Sequence, residues 1–204
     1  MYKLVKDSAA YWESRYASGR NSGAGSYGRL AEFKAEFLNA YVAKKRFRSV
    51  LEFGCGDGAQ LAHAKYPSYT GVDISETILN KIKAAFAHRN DMQFINFFLM
   101  PDELTSELTL SLDVIYHLVE DSVFCEYMHR LFHSAEKAVV IYSSDRDEII
   151  APHVRHRKFT SWVSANQPCF ALVDHIPNRY PFDESDQINT SFSEFFVYEK
   201  LGQE

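Results

Sequence analysis

Val50-Leu-Glu-Phe-Gly54-Cys-Gly56-Asp-Gly58 is the stretch that decides the fold. An apolar, β-prone run ends in glycines at every second position, which makes a tight turn where a ligand can approach bare backbone. A helix predicted over 59–65 would aim its amide-rich end at that turn. Farther on, Tyr69-Thr-Gly-Val-Asp73 ends a second strand in a carboxylate, 21 residues after Glu52. A carboxylate at that place can accept both hydroxyl protons of a ribose.

Outward from this stretch, short apolar runs alternate with amphipathic ones, the pattern of a parallel sheet covered on both faces. Strands are predicted near 49–53, 69–73, 92–97, 112–117 and 138–143, with helices over 59–65, 76–89, 102–108 and 122–134. Upstream, Leu30, Phe33, Phe37, Leu38, Tyr41 and Val42 recur at helical spacing over 30–43, and Lys44, Lys45 and Arg46 suit that helix's C-terminus. Downstream of Asp145 a helix over 157–166, a strand over 170–176, a Pro- and Asp-rich connection over 177–186 and an aromatic strand over 191–199 suggest an antiparallel pair closing the sheet.

The 204-residue chain suits one domain: a cap, lid and helix over 1–48, and an α/β core over 49–204. Its 46% hydrophobic and 15% aromatic residues argue against disorder. A net charge of −5 supplies no clustered cations for a polyphosphate, so a nucleic-acid substrate is disfavoured. Cys55, Cys125 and Cys169 form no CxxC pair, which points to reduced thiols in a cytoplasmic protein and to no metal site. No run of 18 apolar residues exists and the N-terminus carries no signal-peptide pattern, so no membrane attachment is expected.

Gly54, Gly56 and Ala59 also satisfy the dinucleotide pattern GxGxxG/A, which alone is ambiguous. Glu52 two residues before the first glycine, the third glycine at 58 and Asp73 together resemble the first two motifs of class I, Rossmann-like S-adenosylmethionine-dependent methyltransferases. The resemblance extends from Ser49 to Lys200, with Leu112-Asp-Val-Ile-Tyr-His117-Leu-Val-Glu-Asp121 standing as the fourth strand and the amphipathic run over 124–132 as its helix. It implies a mostly parallel sheet with a C-terminal antiparallel strand and helices on both faces. It also implies that Glu52, Gly54, Cys55, Gly56 and Gly58 face the methionine part of S-adenosylmethionine, that Asp73 holds the ribose, and that Ile74 packs on the adenine. The adenine amino group is often met by an acidic residue just after the third strand. Here that place reads Asn96-Phe-Phe-Leu-Met-Pro-Asp102, with no carboxylate close to the strand end.

The implied reaction moves a methyl group from the sulfonium to an oxygen or nitrogen of a small metabolite, leaving S-adenosylhomocysteine. His117, expected at a strand's C-terminal end, is the candidate base or cofactor contact. His153, Arg155, His156 and Arg157 offer cations and imidazoles that point to an anionic acceptor. The glycine-rich loop over 19–28, flanked by Tyr16 and Tyr27, reads as a lid. Two rivals stay open: a binding module without catalysis, and a nicotinamide-dependent reductase.

Overall fold

A computed structural model describes residues 5 and 7–202 of the chain; residues 1–4 and 6 of the expected cap, and 203–204, lie outside the described residues. In chain order the elements are helices α1 (Ser8–Ala17) and α2 (Gly28–Lys45), then β1 (Val50–Phe53), β2 (Tyr69–Asp73), α3 (Glu76–Ala85) and β3 (Met92–Asn96). They continue with β4 (Ser106–Leu112), α4 (Asp121–His133), β5 (Ala135–Ser143), β6 (Glu148–Ala151) and β7 (Val154–His156). The chain closes with α5 (Phe159–Asn166), β8 (Phe170–Ile176) and β9 (Glu194–Lys200).

Seven strands form one sheet in the order β3-β2-β1-β4-β5-β9-β8. The first five strands run parallel, and β9 lies antiparallel to both β5 and β8. Side chains alternate between two apolar layers, as a strand's period of two requires. Along β5, Val140 and Tyr142 pack under α2 and α3, while Val139 and Ile141 pack under α4 and α5. Each large apolar side chain fully buried this way contributes roughly 1.5–3 kcal/mol.

Two expectations are corrected. The strand predicted over 112–117 lies instead at Ser106–Leu112, where a helix was expected. Three of its buried polar residues are satisfied: Thr109 Oγ1 donates to the Leu131 carbonyl at 3.0 Å, Ser111 shares a 2.8 Å bond with Tyr127, and Glu107 accepts from Lys137 at 2.8 Å; the buried Ser106 hydroxyl has no partner among the described residues. The alternating Ser-Glu-Leu-Thr-Leu-Ser-Leu run hides a strand buried on both faces. Second, no α-helix follows the glycines; a single 3-10 turn at Leu61–His63 stands there. Gly58 at φ 78° on one side and Pro67 on the other leave too short a stretch to nucleate a helix. The segment before α5 adds a β6–β7 hairpin, for which no strands were expected.

Strand order reverses between β1 and β4, so a crevice opens beyond the carboxyl ends of these neighbours. Helix α1, through Ser8, Trp12 and Tyr16, and the loop after it, through Ser22 and Ser26, contribute to the lining of that crevice.

Candidate functional site

The crevice is a cleft of about 1220 Å³, its open mouth included, and both halves of the glycine–carboxylate pair line it. Gly54, Gly56 and Gly58 have φ of 79°, 56° and 78°, a left-handed backbone that side chains resist. A Cβ on Gly54 would sit 2.5 Å from Val114, and one on Gly56 would run into Ser22 and lie 3.2 Å from the Tyr16 hydroxyl. Gly54 and Gly56 line the cleft, whereas Gly58, expected there, does not: a Cβ on it would meet Ile82 of α3 at 2.8 Å and Phe86 at 3.0 Å.

Asp73 ends β2, and its Oδ2 accepts the Gly56 N–H at 2.9 Å. Its Oδ1 accepts the Ser75 N–H at 3.0 Å, leaving one lone pair on each oxygen for a ligand. Ser75, not Asp73, caps α3 by accepting from Ile78. Burial raises the Asp73 carboxyl to about 6, against the lowering pull of those amides. Glu52 is 4% exposed and accepts from the Tyr69 hydroxyl at 2.7 Å; burial pushes it up to about 7. Cys55 is buried beside them and Ile74 lines the same wall.

The loop after α1 is tied to the glycine bend. The Ser22 N–H and the Tyr27 hydroxyl both donate to Asp57 Oδ2 at 2.8 Å, and the Asp57 N–H donates back to Ser22 Oγ at 3.0 Å. Tyr16 reaches Ser22 at 3.1 Å and lines the cleft, whereas the ring of Tyr27 is 41% exposed and stays outside it. From α1, Trp12 meets the His117 ring edge-on at 4.8 Å.

His117 lines the cleft from a 3-10 turn at Ile115–His117, beyond the end of β4. Its Nδ1 lies 3.0 Å from the His153 carbonyl, which can only accept, so Nδ1 carries the proton and Nε2 is the acceptor of the neutral ring. Burial lowers this histidine to about 4, so the ring is neutral at pH 7.

The basic run 153–158 is not gathered at the cleft. His153 stacks between Tyr11, 4.7 Å away, and His117, 5.7 Å away. Arg155 and Arg157 donate to the Val119 carbonyl at 3.0 Å and pair with Asp121, tying down the turn before α4. His156 is buried with its Nδ1 bonded to Ser144 Oγ, and its Nε2 has no partner among the described residues. Among those residues no cluster of metal-binding side chains is present, and the three cysteines are free.

Sequence reasoning missed the buried pair at the cleft floor. Lys34, 1% exposed, meets Asp113 at 2.8 Å, and Asp113 also accepts from Tyr116 at 3.1 Å and Ser193 at 2.8 Å. Asp113 holds a φ of 59°, a strained conformation that this set of donors over-determines. Lys34 was visible as a lysine inside the apolar stripe of Leu30, Phe33, Phe37 and Leu38; Asp113 was hidden by the misplaced strand. Altogether seven carboxylates and one lysine line the cleft.

No protein-family profile matches the sequence, and no curated protein matches it. Solved structures match its shape. Magnesium protoporphyrin IX methyltransferase from Synechocystis PCC 6803, with bound SAM, is 14% identical over 96% of this chain and 98% of its own, with a TM-score of 0.68. The N-methyltransferase NodS from Bradyrhizobium japonicum WM9, in complex with S-adenosyl-L-homocysteine, is 11% identical over 96% of this chain and 100% of its own, at 0.70. The methyltransferase domain of a bacterial CtHen1 is 15% identical over 81% of this chain and 97% of its own, at 0.62. The chain has the class I, Rossmann-like S-adenosylmethionine-dependent methyltransferase fold.

Proposed function

We propose that this chain binds S-adenosylmethionine in the cleft and transfers its methyl group to a nitrogen or oxygen of a small molecule. The observation that carries the reading is the 2.9 Å bond between the Gly56 amide and the Asp73 carboxylate, which joins bare backbone and a ribose-binding acid in one wall. Side-chain-free backbone at Gly54 and Gly56 in the cleft wall and a buried carboxylate with spare lone pairs suit an adenosyl amino acid. Fold neighbours crystallised with SAM or S-adenosyl-L-homocysteine support the choice of cofactor.

When bound, the cofactor supplies a methyl group already activated by a sulfonium charge. The chain's task is then to align the reacting atoms. Asp73 holds ribose hydroxyls, Glu52, Gly54, Cys55 and Gly56 shape the space for the methionine end, with Gly58 letting the bend pack on α3, and Ile74 packs on the base. Neutral His117 offers Nε2 as a hydrogen-bond acceptor that orients the methyl acceptor. A strong base is not needed where the acceptor enters as a free amine.

The cleft's acidic lining favours a neutral or basic acceptor, because an anion would meet several carboxylates and one already paired lysine. This replaces the anionic acceptor that the 153–158 run suggests, since Arg155 and Arg157 already serve backbone carbonyls. The reductase reading loses its footing at the glycines: a dinucleotide's pyrophosphate rests on a helix N-terminus, and a loop with one 3-10 turn follows here. Three free cysteines suit a reducing compartment, so a cytoplasmic placement belongs to this reading. No helix among the described residues is long and apolar enough to cross a membrane.

The test is turnover. A panel of amines, phenols and carboxylates is incubated with S-adenosylmethionine, and S-adenosylhomocysteine is measured. Product is expected with an amine, and His117→Ala should lower kcat about tenfold or more while leaving cofactor affinity within about threefold. Binding without turnover on any acceptor would favour a regulatory module.

A further inference from the structure

The cleft continues beyond Asp73 into a slot with walls of a different character. From the glycine bend at β1 it passes Asp73 at the end of β2 and reaches Phe97 and Phe98, which follow β3 at the sheet's edge. Ile74, Phe97 and Phe98 line the cleft together with Leu118 and Val123, from the segment between β4 and α4 and the start of that helix. Such a slot accepts a flat aromatic ring.

Two side-chain oxygens of cleft-lining residues are buried without a partner among the described residues, Gln60 Oε1, two positions past Gly58, and Glu120 Oε2. Glu120 lines the cleft, and its Oε1 accepts the Ser8 N–H at 2.8 Å. Its Oε2 is buried and has no hydrogen-bond partner among the described residues. A buried carboxylate oxygen without a donor is costly, and a ligand that brings an N–H removes the cost. The other polar side chain near the end of β3 is already engaged: Asn96 donates to the Ile74 carbonyl at 3.2 Å and to Glu76 at 2.7 Å, and accepts from the Phe98 N–H at 2.9 Å.

The geometry points to Glu120 as the residue that receives the amino group of the cofactor's adenine, in place of a carboxylate after the third strand. The assignment rests on the proposal that the cleft holds S-adenosylmethionine. Because the same carboxylate anchors the first turn of α1 through Ser8, the base that fills the slot is also the group that completes the seat of the N-terminal helix. Glu120 is a specificity residue, one that selects 6-amino purines over purines lacking that donor.

The experiment is a calorimetric cycle with two probes, S-adenosylhomocysteine and its analogue without the 6-amino group, on the full chain and on Glu120→Ala. The native chain should bind S-adenosylhomocysteine about tenfold or more tightly than the analogue, and the variant should bind the two within about threefold. The ratio within one variant is insensitive to any general loosening of α1. Should Glu120→Ala not fold, Glu120→Gln keeps an acceptor for Ser8 and should narrow the ratio as well. An undiminished ratio in the variant overturns the Glu120 assignment and leaves the cofactor reading standing. No binding of either probe by the folded native chain overturns the cofactor reading itself.

Discussion

Two carboxylates, Glu52 and Asp73, sit below the glycine bend in an environment that resists their ionisation, and this makes their behaviour with pH measurable. Glu52 is raised to about 7 in the folded chain and has the ordinary carboxylate value when unfolded. The folded state therefore holds a proton that the unfolded state releases as pH rises from about 4.5 to about 7. Stability is lost across that window, by about 3 kcal/mol at most. Glu52→Gln retains an acceptor for Tyr69 and should be more stable than the native chain in urea at pH 8, with the advantage vanishing near pH 4. For Asp73, at about 6, the ionised form is the one that accepts ribose hydroxyls. Affinity for S-adenosylhomocysteine should fall about tenfold from pH 7 to pH 5, and the fall should be shallower in Asp73→Asn. Gly54→Ala, whose Cβ would press on Val114 from a φ of 79°, should destabilise the fold by about 1–3 kcal/mol and weaken binding.

Among the elements, the loop after α1 leans on one acid in particular. The Asp57 side chain receives both the Ser22 N–H and the Tyr27 hydroxyl, and its backbone N–H and the Tyr16 hydroxyl hold Ser22 Oγ besides. Asp57→Ala should loosen that loop, seen as faster hydrogen exchange over 19–27 with little change in the sheet. The elements also show what could be read in advance. β1, β2 and β3 were legible because their apolar runs end at Gly54, Asp73 and Asn96, where composition changes abruptly. β4 was not, because Glu107, Thr109 and Ser111 are buried polar residues whose partners come from distant segments. That one displacement moved His117 off a strand end and concealed Asp113. The glycine bend and Asp73 were legible because they are local, whereas Lys34, Asp57 and Glu120 act through partners 30 to 112 residues away, a separation no short motif records. The arginines at 155 and 157 misled for the same reason: their partners, in the turn at 118–121, are invisible to composition.

At the scale of the molecule, the strand order puts the glycine bend, the β2 carboxylate and the β3 slot along one crevice, so a single elongated ligand can span all three. Such a ligand should stabilise the whole chain. At a free concentration of about a hundred times Kd the gain is about 2.7 kcal/mol, which raises the melting temperature by roughly 5–10 °C. NADH, lacking a helix N-terminus to receive its pyrophosphate, should produce no such shift. The most direct measurement is calorimetric titration of S-adenosylhomocysteine into the native chain and into Asp73→Ala. A Kd of roughly micromolar order for the native chain, weakened at least about tenfold in the variant, is the predicted result. Absence of heat with the folded native chain, or equal affinity in the two, would contradict the claim that the glycine bend and Asp73 together form the cofactor's seat.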